Sequence, residues 1–294
     1  MLKRIFRIAI VLIALIILSA HLLASPAPDH PYFDQFSAGQ YPLVIAHAGS
    51  ELYPTDTLYA LEQYAAMDVD ILEMDLHMTA DGEIILIHDD TVDRTTDGAG
   101  DVREMTLAEV QSLDAGWYWT KDDETYPFRG QGIAIPTLRQ VFETFPEYAM
   151  ITEIKQESPS MAAPLCVLIR EYGMENKVLV PSFSDVAIQD FRQVCPEIAT
   201  AASEGEVLDF VVRGFLLLGG TLTPDYEALH VPVSRYNIPI VTRLFLWFAR
   251  HRNVEVHVWT INELEEMRRL SDMGVDGIMT DRTDLLLEIL GRSE

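Results

Sequence analysis

Short apolar runs that close on polar residues alternate along the chain with longer stretches of helical period. Leu43–His47, Ile71–His77, Ile84–His88, Ala149–Lys155, Val178–Ser182 and Val254–Thr260 predict strands. Thr57–Met67, Ser160–Tyr172, Asp185–Val194 and Glu263–Met273 repeat their apolar positions at helical spacing and predict the helices between them. Strand and helix in turn is the pattern of parallel βα units. Weaker strand candidates at Ala199–Ala202, Leu229–Val233 and Gly277–Thr280 raise the count to nine. A (β/α) barrel of about 250 residues would nearly fill the 294 available, and it has eight staves, so one candidate must lie outside it. From about 90 to 147 the alternation lapses, across Asp97-Gly98-Ala99-Gly100 and the aromatic, charged stretch Trp117–Arg129. An excursion that long predicts an insertion. The expected fold is α/β: a TIM (β/α)8 barrel over 41–294 with a small insertion after the third strand, preceded by an N-terminal hydrophobic helix.

That helix follows from the first 24 residues. Lys3, Arg4 and Arg7 precede Ile8–Ala24, which holds no formally charged residue. Its 17 residues span roughly 25 Å, a little short of a hydrocarbon core of roughly 30 Å. Residues 1–24 therefore read as a signal peptide or a transmembrane anchor. Leu22 fits poorly the small residue that cleavage after Ala24 would want, which favours a retained anchor. The basic flank lies before the segment, and Asp29 and Asp34 lie after it. This polarity predicts a membrane-anchored or secreted protein with its domain on the extracytoplasmic side. Residues 25–40, rich in Pro, Ser and Asp, read as a linker.

Composition narrows the function. Hydrophobic residues at 49% and charged residues at 23% exclude a disordered chain. With 46 acidic against 21 basic residues the net charge is -25, a field that repels phosphate backbones and argues against a nucleic-acid partner. Setting aside Lys3, Arg4 and Arg7 leaves 46 against 18. Cys166 and Cys195 are too few for a disulfide scaffold. They form one disulfide or remain two buried thiols.

Strand side chains alternate between faces, so Glu73, Asp75 and His77 share one face of their strand, and Glu153 and Lys155 share one face of theirs. Both sets lie at carboxyl ends, as do His47, His88, Asp89 and Trp259, and active sites of barrels form there. Two carboxylates from one strand and a third from another suit Ca²⁺ or Mg²⁺. Two histidines on separate strands offer an acid and a base. Each group alone has a bland explanation as a solvated edge, a surface ion pair or a loop partner. Their joint occurrence at successive strand ends points to a site.

The same residues carry a resemblance. His47-Ala48-Gly49, Pro54–Leu58, Ile71–Gly100, Thr152–Lys155, Val258–Asn262 and Gly274–Asp281, in that order, resemble the glycerophosphodiester phosphodiesterase family over about four fifths of the chain. The resemblance implies a TIM barrel and one divalent cation, Ca²⁺ or Mg²⁺, held by Glu73, Asp75 and Glu153. It also implies His47 and His88 as acid and base, Lys155 facing the phosphate, and His77 and Trp259 lining the substrate pocket. The implied reaction is hydrolysis of glycerophosphodiesters to glycerol phosphate and an alcohol. A lysophospholipase D acting on membrane lysophospholipids is the alternative within the enzyme class. The anchor and the apolar runs Phe215–Leu218 and Leu244–Phe248 would serve it, although such runs are commonly helix cores. A non-catalytic metal- or phosphate-binding homologue is the alternative outside it. Two positions depart from the family. Ala48 stands where an arginine usually grips the phosphate, leaving Arg94 or Arg129 as candidate replacements, and Thr55-Asp56 stands where Glu-Asn is usual.

Overall fold

The alternation read from the sequence closes into a barrel. In the computed structural model, α1 (Leu2–Leu23) precedes β1 (Leu43–Ala46), α2 (Leu58–Ala66) and β2 (Ile71–Met78). The short β3 (Ile84–Leu86) opens an insertion that carries α3 (Leu107–Gln111) and ends at α4 (Leu138–Thr144). Then follow β4 (Ala149–Ile154), α5 (Ala162–Glu171), β5 (Val178–Val180), α6 (Asp185–Val194), β6 (Ala199–Thr200), α7 (Glu204–Phe215) and β7 (Ala228–Pro232). A small hairpin, β8 (Ser234–Arg235) and β9 (Ile238–Pro239), leads to α8 (Arg243–His251), β10 (Glu255–Trp259), α9 (Leu264–Met273), β11 (Gly277–Thr280) and α10 (Thr283–Ile289). Residues 2–37, 39–48 and 51–292 are described, without the side chains of residues 2–5, 8–10, 13 and 14. Gly49 of the first motif and the side chains of Lys3 and Arg4 therefore lie outside the described residues.

The staves run in the order β6, β5, β4, β2, β1, β11, β10, β7, each parallel to its neighbours. A parallel bridge between Ala201 and Ala228 joins the two ends. The ninth candidate is β3, which pairs antiparallel with the overrunning tip of β2, from Leu76 to Met78. It lies outside the barrel, and the insertion follows it. Periodicity alone cannot tell such a hairpin partner from a stave. Along the staves, Leu43, Ile45, Ile71, Ile151 and Leu179 fill the barrel interior, while Val44, Leu72, Met74 and Met150 pack beneath the helices.

Residues 25–40, expected as a linker, pack onto the barrel instead. The Ala27 amide donates to the Arg252 carbonyl at 2.8 Å, and Pro31–Gln35 forms a 3-10 turn. Tyr32 from this turn is fully buried and packs against Leu43, Ile71, Ala149, Ala199 and Ala228, the first residues of five staves. It closes the amino-terminal end of the barrel, because the small first residues of three of those strands leave room for a ring. Tyr32→Ala is expected to lower stability by about 3–5 kcal/mol, read as a shift of the urea midpoint with an unchanged slope.

Helix α1 meets the loop after α7, where a side chain on Gly220 would collide with the His21 ring, and the Ser25 amide donates to Thr223 Oγ1 at 3.1 Å. Among the described residues no helix is long and apolar enough to cross a membrane. Cys166 on α5 and Cys195 just after α6 are both buried and form a disulfide.

Candidate active site

Strand register builds the centre of the site. Glu73 and Asp75 face inward because Leu72, Met74 and Leu76, which alternate with them, are held beneath the helices. In the parallel pair β2–β4, Asp75 lies opposite Glu153. Adjacent strands are under 5 Å apart, so this register alone brings the two carboxylates together. One carboxylate oxygen from each of Glu73, Asp75 and Glu153 lies within 4.8 Å of the other two. Hard divalent cations take oxygen ligands at about 2.0–2.6 Å. Opposed ligands are then up to about 5 Å apart, and the donor set fits such an ion in both chemistry and size.

Burial pushes the Glu73 carboxyl up to about 8, with the negative charge of Asp75 adding to it. Glu153 rises to about 7, again chiefly through burial. Lys155 partly offsets the like charges, with Nζ at 3.1 Å from Asp75 Oδ1 and 2.9 Å from Glu153 Oε1. Glu73 also accepts the Ala48 amide at 2.9 Å. Asp56 backs the cluster in a left-handed conformation (φ +52°), which Asp tolerates better than most residues. Its Oδ1 accepts the Asp75 amide at 3.3 Å, and burial raises its carboxyl well above the usual range.

Each histidine is steered by a carboxylate. His47 follows β1, and Asp281 follows β11, the strand registered beside it. His47 Nδ1 lies 2.8 Å from Asp281 Oδ1, which leaves Nε2 for a substrate. Asn262 holds Asp281 in place, donating to Oδ2 at 2.8 Å and accepting its amide at 3.0 Å. Burial works against the imidazolium, but the Asp281 hydrogen bond and the charges of Glu73, Asp281 and Asp75 outweigh it, lifting His47 to about 9. His88 reaches the same cavity from the loop after β3, not from the end of a stave. Its Nδ1 lies 2.7 Å from Asp89 Oδ1. Arg94 clamps Asp89 through Nε at 2.6 Å and Nη2 at 3.0 Å, and this holds the Asp89 carboxyl down at about 2.

His47, Glu73, Asp75, His88, Glu153, Lys155 and Trp259 all line one cavity of about 530 Å³. Trp259 ends β10 and packs edge-on against Phe183, ring centres 5.7 Å apart. Phe183, Val207, Pro232, Ile240 and Trp259 add apolar wall, alongside Glu204, His230 and Arg235. His77, expected to line the pocket, is not part of its wall. It sits on the tip of β2 that overruns the barrel, buried, with Nε2 3.4 Å from the His88 carbonyl.

Neither expected replacement for the arginine at position 48 lines the cavity. Arg94 is committed to Asp89. Arg129 is stacked on the rings of Trp117 and Tyr126 and donates to the Trp117 carbonyl at 3.0 Å. Among the described residues, the lysine and arginine side chains in the wall are Lys155 and Arg235, the latter paired with Glu204 at 2.5 Å. Asp281, Asn262 and Asp89 belonged to the sequence motifs without an assigned role, and only the adjacency of β1 and β11 gives Asp281 its partner.

The sequence profile of the glycerophosphoryl diester phosphodiesterase family matches residues 47–285. The chain belongs to this family. A glycerophosphodiester phosphodiesterase of Caldanaerobacter subterraneus is 31% identical over 257 residues, covering 84% of this chain and 97% of the relative. One from Bacillus subtilis is 30% identical, covering 84% and 86%. Among solved structures, a glycerophosphodiester phosphodiesterase of Agrobacterium tumefaciens superposes with a TM-score of 0.67 at 25% identity, covering 84% of this chain and 99% of that one. A phosphodiesterase of Oleispira antarctica, solved with its product sn-glycerol-3-phosphate, shares the fold with a TM-score of 0.69 at 24% identity, covering 85% and 97%. As a member of the glycerophosphoryl diester phosphodiesterase family, the protein is a phosphoric diester hydrolase.

Proposed function

We propose that the protein hydrolyses glycerophosphodiesters to glycerol phosphate and an alcohol, with a divalent cation, Ca²⁺ or Mg²⁺, held by Glu73, Asp75 and Glu153. The observation that carries this reading is the convergence of three carboxylates, Glu73 and Asp75 buried and Glu153 partly so, with Lys155 and two carboxylate-steered histidines on one cavity. When bound, the cation supplies positive charge that neutralises the cage and polarises a phosphoryl oxygen. Lys155 faces the remaining oxygens and stabilises the charge that builds on them in the transition state. Ala48 offers no guanidinium, so Lys155 carries that task without the usual arginine.

His88, fixed by Asp89, takes the proton from the attacking water as its oxygen bonds to phosphorus. His47, held protonated by Asp281, gives its proton to the alcohol oxygen as the P–O bond breaks. Protons balance over the cycle once the two rings exchange them with solvent, to which both are accessible. Asp281 and Asp89 act by orienting the rings and fixing which nitrogen is free.

The apolar part of the cavity wall favours a second substrate, a lysophospholipid cleaved at the same bond. A membrane location suits it. Helix α1 would anchor the domain on the extracytoplasmic side, and the Cys166–Cys195 disulfide fits an oxidising compartment. The test is turnover by the full chain of glycerophosphocholine and of lysophosphatidylcholine, each with Ca²⁺, with Mg²⁺ and with a chelator. Activity should need a cation and return when it is restored. Turnover that persists in chelator contradicts the assignment of the cage, and none on any diester leaves a binding protein.

A further inference from the structure

The charge of this chain is unevenly spread. Against 46 acidic and 21 basic residues overall, Glu204–Val254 holds five arginines and five acidic residues, a neutral stretch in an acidic chain. The same stretch, with the outer face of α7, exposes large apolar side chains. Leu208, Val212 and Phe215 project from α7 four and three residues apart, one stripe of a helix. The chain then turns with Leu216 and Leu217, the latter 70% exposed. Leu244 and Trp247 project from α8, which is packed against α7 through Phe210 and Phe245 at 5.1 Å between ring centres. The β8–β9 hairpin adds Tyr236, 85% exposed, and Ile238. Phe215–Leu218 and Leu244–Phe248 are thus only partly helix core: Phe245, Leu246 and Phe248 are buried, and the others named here are not.

This face has two informative ends. At one, α1 and Ser25 pack on the loop Gly219–Thr223 directly after α7. At the other, Val207 of α7 and Arg235 of the hairpin line the catalytic cavity. Arg213 is paired with Asp209 and Arg235 with Glu204, so the apolar surface between α1 and the mouth of the site carries little net charge.

We propose that this face lies on a lipid surface and presents the cavity mouth to substrate held there. Lipid is the occupant because the face continues α1, whose own large side chains Phe6, Leu12, Leu15 and Ile16 are exposed, and because the stretch is neutral in an otherwise acidic chain. The proposal deepens the lysophospholipid reading, and rests on it only for what enters the cavity.

The experiment uses the full chain carrying Leu216→Cys labelled with an environment-sensitive fluorophore, the two native cysteines being bonded to each other. A Val167→Cys chain, labelled on exposed α5, is the control. On vesicles of phosphatidylcholine and phosphatidylglycerol, the probe at 216 should shift to the blue and be quenched by brominated acyl chains. The probe at 167 should do neither. Because α1 would by itself bring the protein to vesicles if it anchors the domain, co-sedimentation is not the readout. Protein that sediments with vesicles while the 216 probe stays as exposed as the control overturns the proposal. So does shielding of that probe by rising protein concentration without lipid, which would mark a second copy. Phe215→Ser with Trp247→Ser should reduce turnover of vesicle-borne lysophosphatidylcholine and leave soluble glycerophosphocholine turnover unchanged. A probe that shifts in a protein that cleaves neither substrate keeps the docking face and removes the proposed function.

Discussion

Asp75→Asn should lower kcat/KM on glycerophosphocholine by roughly 10³-fold or more, while the protein melts at the same temperature or higher in chelator. Asp75 is central to the cage, next but one to Glu73 on β2 and registered beside Glu153 on β4. Asparagine keeps its shape and removes the carboxylate charge that helps hold protons on Glu73 and Glu153. The fold loses one of two carboxylate partners of Lys155, which keeps Glu153, and is relieved of the burial of a charge that opposes ionisation of its neighbours. Cation binding and phosphate chemistry both need that charge. Loss of activity without loss of stability separates the two, and retained activity would show that the cation is held elsewhere.

The same cage fixes a pH dependence. Glu73 at about 8 and Glu153 at about 7 hold protons in the folded, cation-free protein that carboxyls at the ordinary 4.5 have released in the unfolded chain. The folded state then binds more protons between these limits, so cation-free stability should fall as pH rises from about 4.5 to about 8. A cation must displace those protons. Calorimetry in buffers of different ionisation enthalpy should show proton release near neutral pH, with affinity weakening as pH drops from about 8 through about 7.

How far the sequence exposed this site depended on the range of the signal. Glu73, Asp75 and Glu153 were legible because alternation along a strand is local and the apolar residues between them fix the face. The staves were legible for the same reason, down to β6 with two paired residues. β3 was not separable from a stave, since antiparallel and parallel partners of one strand share a period. The roles of Asp281 and Asp56 depend on chain segments far apart in sequence, which meet only when β11 closes on β1 and when the loop after β1 folds under β2. Arg129 looked available as a charge and proved held by two rings. Tyr32 lay in a stretch whose Pro and Asp content signals a loop, and composition does not show that a loop can carry a plug.

His47→Ala should cost roughly 10²- to 10⁴-fold in kcat on a diester with an alkyl leaving group, and a good leaving group should restore most of it. An alkoxide needs a proton as it departs, whereas p-nitrophenolate is stable without one. If His47 is the acid, a p-nitrophenyl diester bypasses the lesion. His88→Ala, which removes the group that takes the proton from water, should be equally damaging on both substrates. The pH profile gives an independent reading. With His47 at about 9, activity with alkyl substrates should be lost on the alkaline side at or below that value, as the ring loses its proton. Asp281→Asn removes the hydrogen bond and one charge that oppose burial, so the alkaline limb should move to lower pH while the acid limb stays in place. Rescue of His88→Ala but not His47→Ala by the p-nitrophenyl substrate would reverse the two roles, and an alkaline limb unmoved by Asp281→Asn would detach His47 from it.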